Sequence, residues 1–172
     1  MCRFQKYFSS RAALLGVALL MPLLLLGSPT TAAAFGLYGM DARVGVVDPD
    51  GVDGTLAVGA GLNFQQAGSH VHLMPNVVYW SESGLSDVNT NFDASYHFEP
   101  AGRVSPYVGG GLGMHFYSSD GPGDPGTDIG PNLFGGVSLP MSGASLYFEG
   151  RTTLTDRSEF GLMTGATFYL GR

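Results

Sequence analysis

Two short stretches set an acid and an arginine two residues apart: Asp41-Ala-Arg43 and Glu149-Gly-Arg151. In an extended chain, side chains at i and i+2 point to the same side, so each pair presents a carboxylate and a guanidinium to one face. Such groups form charge-assisted hydrogen bonds where an enclosure keeps water away, whereas isolated charges there are expensive. Asp93 stands in similar company, with Asn89, Asn91 and Ser95 at alternate positions. The five charges Asp41, Arg43, Asp93, Glu149 and Arg151 are therefore expected to pair with one another inside a confined space. The bland chemistry is a polar filling; the alternative is a path for protons or ions. Three acids face two arginines, so one carboxylate is left to hold a proton or take a histidine.

Three histidines invite other chemistry. His72 and His97, with Asp93 near in the pattern, suit a transition metal if a third ligand completes the set; without one, internal hydrogen bonding is expected. His115 precedes Ser118 and Ser119, the residue types of a base and a nucleophile, but no acid in the sequence is evidently placed to orient it. The segment Asp48-Pro-Asp-Gly-Val-Asp-Gly54 spaces the carboxylates Asp48, Asp50 and Asp53 around a glycine turn, like a fragment of a calcium loop. It lacks the longer run and the bidentate glutamate of a complete one. These three form a candidate divalent-cation rim, and no resident metal or cofactor is expected.

The elements that must position these side chains alternate with period two from residue 38 onward, and helical periodicity is absent. Eight strands are predicted, over about 38–47, 55–64, 71–79, 88–98, 104–116, 129–139, 144–154 and 160–170. In the fourth, Val88, Thr90, Phe92, Ala94, Tyr96 and Phe98 oppose Asn89, Asn91, Asp93, Ser95 and His97. The eighth sets Phe160, Leu162, Thr164, Ala166, Phe168 and Leu170 against Gly161, Met163, Gly165, Thr167 and Tyr169. All five paired charges fall on the polar faces. Those faces are otherwise small and rich in glycine, which suits a cramped interior and not a solvated exterior.

Composition narrows the choice. The chain has 172 residues, 13% of them charged and 27 of them glycine, against about 25% charge and ~7% glycine in ordinary domains. Arg3, Lys6 and Arg11 precede the apolar run 12–26, and Ala32-Ala33-Ala34 supplies small residues for cleavage. This is the tripartite plan of a secretory signal, so residues 1–34 are expected to be removed, with Cys2 among them. The body, 35–172, then has no cysteine and no lysine, and five arginines face fourteen acids, a net charge of −9. A nucleic-acid partner needs a basic face, and none is present.

Strands of about ten residues tilted by ~40° cross the ~25 Å apolar band of an outer membrane, and an even strand number suits such a barrel. The odd connections (48–54, 81–87, 118–127, 155–158) are placed outside and the even ones (65–69, 99–103, 140–143) are short periplasmic turns; the longest, 118–127, falls on the outer side, as such barrels require. The aromatics Tyr79, Phe116 and Phe160 gather at one rim and Phe64, Tyr96, Phe98 and Phe168 at the other, forming two interfacial girdles. The acids Asp48, Asp50, Asp53, Glu82, Asp87, Asp120, Asp124, Asp128, Asp156 and Glu159 are assigned to the outer loops, opposed there by Arg157.

The motifs Pro106-Tyr-Val-Gly-Gly-Gly-Leu-Gly-Met-His-Phe116, Phe134-Gly-Gly-Val-Ser-Leu-Pro140 and Leu146-Tyr-Phe-Glu-Gly-Arg151 resemble the small eight-stranded outer-membrane barrels, the OmpA-transmembrane, OmpX and opacity-type group. The C-terminal Gly165-x-x-Phe168-x-Leu170 resembles the signal read by the barrel-assembly machinery, departing from it at Met163 and in the Gly171-Arg172 tail. The resemblance implies an all-β, eight-stranded antiparallel up-and-down transmembrane barrel in a Gram-negative outer membrane. It further implies a monomer in contact with lipid and lipopolysaccharide, with surface-exposed loops and no enzymatic activity. Its expected role is structural or in surface interaction, with a side-chain-filled lumen. One alternative is a narrow, porin-like channel using space left by Gly59, Gly61, Gly109, Gly111 and Gly113. Another is a lipid A-acting barrel enzyme, although the segment around His115 lacks the His-x-Ser spacing of the lipid A deacylases.

Overall fold

The computed structural model describes residues 35–51, 53–121 and 126–170. The expected signal segment 1–34, the loop acid Asp124 and the Gly171-Arg172 tail lie outside the described residues. Eight strands follow in chain order: β1 (Gly36–Pro49), β2 (Thr55–Gln65), β3 (Val71–Glu82), β4 (Leu85–His97), β5 (Ser105–Ser119), β6 (Thr127–Met141), β7 (Ala144–Thr153) and β8 (Glu159–Tyr169). Each pairs antiparallel with its sequence neighbour, and β1 pairs with β8 from Gly39↔Tyr169 to Pro49↔Glu159. The barrel is closed, so the sheet has no free edge.

The alternation decides which way each side chain points. Along β4, Asn89, Asn91, Asp93 and Ser95 are buried, while Val88, Phe92 and Tyr96 are exposed. The large aliphatic and aromatic side chains stand outside: Leu56 is 72% exposed, Leu162 60%, and Leu133 and Phe148 56% each. Inside, carboxylates, amides and arginines lie between two buried clusters, one around Trp80, Val47 and Met163 and one around Tyr107, Phe134 and Tyr147. Leucine and phenylalanine cover the outside, the inverse of a water-soluble barrel's surface. A strand of 11 residues rises about 37 Å, which at ~40° of tilt covers the ~25 Å apolar band.

The structure corrects one expected connection. Instead of a loop over 81–87, β3 and β4 pair to the last residue through Ser81↔Ser86 and Glu82↔Leu85. They are joined by the two-residue turn Ser83-Gly84, with φ of 51° and 78°. Positive φ at both central residues is the type I′ geometry, whose twist matches the flanking strands. Polar residues thus extend the sheet beyond the apolar band instead of forming a loop. β5 also continues past Phe116 to Ser119. Consequently Asp87 and Glu159, expected among the loop acids, belong to the wall, and both side chains are buried.

Candidate functional site

The polar side chains inside the barrel form three levels. The middle level holds the five charges read from the sequence, each at most 6% exposed. Arg43 donates from Nε and Nη2 to Asp41 Oδ1 at 2.9 and 2.7 Å, and its Nη1 lies 3.9 Å from Glu149 Oε1. Arg151 joins two walls, donating from Nε to Glu149 Oε1 at 3.2 Å and from Nη2 to Asp93 Oδ2 at 2.7 Å. The charges come from β1, β4 and β7, so the network crosses the lumen. The structure thus places all five in one connected group.

Uncharged partners extend it, although Asp41 Oδ2, Arg43 Nη1 and Arg151 Nη1 stay without a hydrogen bond. Tyr147 donates to Asp41 at 3.1 Å and Tyr107 to Glu149 at 3.0 Å. Asp93 also accepts from Asn76 at 2.9 Å and Asn132 at 3.1 Å. Asn132 bonds in turn to Asn91 and accepts from Thr153 at 2.8 Å. The Arg151 guanidinium lies 4.8 Å over the Phe134 ring. Each carboxylate therefore has at least two donors, which makes three acids and two arginines tolerable in the dark interior. None of the three needs a histidine.

The glycine face is occupied. A Cβ at Gly109 would collide with the Phe134 ring, at Gly165 it would meet Tyr147 Cζ at 2.6 Å, and at Gly136 it would meet Tyr107 Cζ at 2.9 Å. At Gly61 it would meet Asp41 Oδ2 at 2.5 Å, and at Gly111 Asp93 Oδ1 at 2.5 Å. Of the glycines that suggested room for a channel, Gly59 lies against Arg43, Gly61 against Asp41, Gly109 under the Phe134 ring, Gly111 against Asp93 and Gly113 against the amides of Asn91 and Asn132.

At the end of the barrel where β1 begins and β8 ends, the His72 and His97 rings stack at 4.1 Å, and His97 stacks on Tyr107 at 4.9 Å. They line a cavity of about 80 Å³ with Asp41, Arg43, Tyr107 and Tyr147. Asp93, expected near them, is taken up by Arg151 and the asparagines. The two imidazoles stack on each other and on Tyr107, and Asp41 and Glu149 line the same cavity.

At the outer level, His115 Nδ1 lies 2.7 Å from Asp87 Oδ2, both residues being fully buried. Trp80 Nε1 donates to Glu159 Oε2 at 2.9 Å across the lumen. Ser118 and Ser119, expected beside His115, are exposed. The acid missing from the sequence reading is Asp87, hidden because 81–87 was assigned to a loop. Its signal was available: Asp87 continues the Asn89, Asn91, Asp93 series. Of the loop acids, Asp48, Asp50 and Asp53 are exposed at the outer end of β1 and in the following turn. Arg157 lies 4.9 Å over the Tyr117 ring.

No protein-family model matches the sequence, and neither does any curated protein. Solved structures do. Neisserial surface protein A superposes with a TM-score of 0.69, covering 80% of this chain and 99% of that one at 13% identity. The fold is that of the small eight-stranded outer-membrane β-barrels. The N-terminal β-barrel domain of Pseudomonas aeruginosa OprF matches with a TM-score of 0.62 at 17% identity, covering 78% of this chain and 99% of that domain. Ail, the attachment invasion locus protein of Yersinia pestis, matches at 0.54 and 15%, covering 80% of this chain and all of its own. At these identities the eight-stranded barrel is what is shared; the side chains of the lumen are this chain's own.

Proposed function

We propose that this protein is an integral outer-membrane barrel with a closed lumen, serving a structural or surface-interaction role as a monomer. One observation carries the reading: exposed leucines, valines and phenylalanines surround a barrel whose interior is crossed by the ion pairs of Arg151 with Asp93 and Glu149. Such a surface is tolerated only where lipid covers it. The closed sheet, with every strand paired on both sides, supports the monomer.

Residues 1–34 act in this reading as the export signal. Phe168 and Leu170, both exposed on the lipid side, act with Gly165 as the segment presented to the assembly machinery. The exposed loop acids face outward, where divalent ions can bridge them to lipopolysaccharide phosphates. The Ail barrel has been crystallised with the heparin analogue sucrose octasulfate. The acidic loops of this chain would repel such a polyanion, so a cationic or cation-bridged surface partner fits them better. The proposal includes no catalytic step: His115 faces Asp87 in the lumen while the nearby serines face away.

The test joins a gel to a conductance measurement. The folded protein in detergent should migrate faster unheated than boiled, and in planar bilayers it should give little or no steady current. Migration that heating leaves unchanged would overturn the barrel-in-membrane reading. Robust single-channel conductance would replace the closed lumen with a channel.

A further inference from the structure

We propose that Asp87, His115 and Glu159 form a binding site for one divalent transition-metal ion, Zn²⁺ or Mn²⁺, at the outer end of the lumen. One ligand atom from each lies within 4.8 Å of the others, and all three residues are buried. A tetrahedral ion with bonds of ~2.0–2.1 Å sets its ligands about 3.3 Å apart, so modest side-chain movement closes the set. The elements differ as well: β4 and β5 are neighbours, but Glu159 reaches from β8 on the far wall.

Two independent observations point to a cation. The first is the unmet polar atoms. Among the described residues, His115 Nε2 and Asp87 Oδ1 are buried with no hydrogen-bond partner. A carboxylate only accepts, so the shared proton sits on His115 Nδ1; an ion taking its place would bind Nδ1 and Asp87 together, with the imidazole proton moving to Nε2. Trp80 occupies Oε2 of Glu159, which leaves Oε1 for an ion. The second is charge. Two carboxylates are enclosed here, yet among the described residues no arginine nitrogen comes within 4.0 Å of either. Arg151 is committed to Asp93 and Glu149, and Arg157 lies over Tyr117. Asp87 is held by His115 and Glu159 by Trp80, neither of them a permanent cation, and a divalent ion would neutralise both carboxylates.

One imidazole with two carboxylates suits a first-row transition ion better than Ca²⁺ or Mg²⁺, which prefer all-oxygen sites. The way in is favourable: Glu159 opens β8 at the outer mouth, and the exposed Asp48, Asp50, Asp53, Asp120 and Asp156 raise the local concentration of cations there.

The experiment uses the full barrel refolded in detergent micelles and stripped with a chelator, titrated calorimetrically with Zn²⁺, Mn²⁺, Ca²⁺ and Mg²⁺. The expected result is one Zn²⁺ or Mn²⁺ per chain, with Ca²⁺ and Mg²⁺ much weaker. Because Glu159 holds Trp80, binding should change the emission of this single tryptophan, a readout that needs no variant. Asp87→Asn and Glu159→Gln keep the acceptors for His115 and Trp80, so the fold survives while affinity falls by at least ~10-fold. His115→Gln should abolish the site, and the His72→Gln/His97→Gln double variant should leave it intact. Absence of stoichiometric binding, binding silent to Trp80, or binding that survives both His115→Gln and Glu159→Gln would each overturn the proposal.

Discussion

Arg151 is the side chain on which the middle of the lumen depends. It is the sole guanidinium bonded to Asp93 among the described residues, and it also holds Glu149. Arg151→Ala would leave Asp93 with neutral donors alone and Glu149 with Tyr107 and the more distant Arg43. The expected loss is about 3–5 kcal/mol, read as a lower urea midpoint of the folded barrel. Gly165→Val tests the opposite error, overfilling: its branched side chain must displace the Tyr147 ring, which itself bonds Asp41. About 1–3 kcal/mol of destabilisation is expected in the same measurement. The inward direction of these residues was legible from period-two spacing alone. Their partners were not, because Tyr107 to Glu149 or Asn132 to Asp93 is a contact across the lumen. Such contacts depend on barrel diameter and stagger, which no local pattern records.

At the scale of the strand, alternation reads well because a barrel with lipid outside and polar groups inside makes both faces chemically distinct. The faces given for β4 and β8 agree with the observed burial, and Val108 is exposed on β5. Val108→Arg should therefore place a cation among acyl chains and cost ~2–4 kcal/mol near the midplane, measured by unfolding in lipid vesicles. An unchanged stability would show that β5 is turned the other way. Strand ends were less legible. Ser, Gly and Asp around residues 81–87 have loop-like composition, yet Ser83-Gly84 alone makes the turn and the flanking polar residues continue the ladder. Gly84→Val, forcing a branched side chain to φ near 78°, should cost about 1–3 kcal/mol. The loss should appear in hydrogen exchange as faster opening of the β3–β4 hairpin than of the other hairpins.

For the molecule as a whole, the apolar belt and the closed sheet predict that the protein fractionates with outer membranes and withstands extraction by high salt. Recovery in the soluble periplasmic fraction would contradict it. The closed wall and the polar lumen together have a mechanical consequence. A ring of eight strands held only by its own ladder is a thin hoop, easily squeezed into an ellipse. Here Arg151–Asp93 ties β7 to β4, Trp80–Glu159 ties β3 to β8, and Tyr147–Asp41 ties β7 to β1. These ties act as spokes at two heights, so lateral pressure from the bilayer meets a braced wheel, and the cross-section stays round as the surrounding lipid thickens or thins.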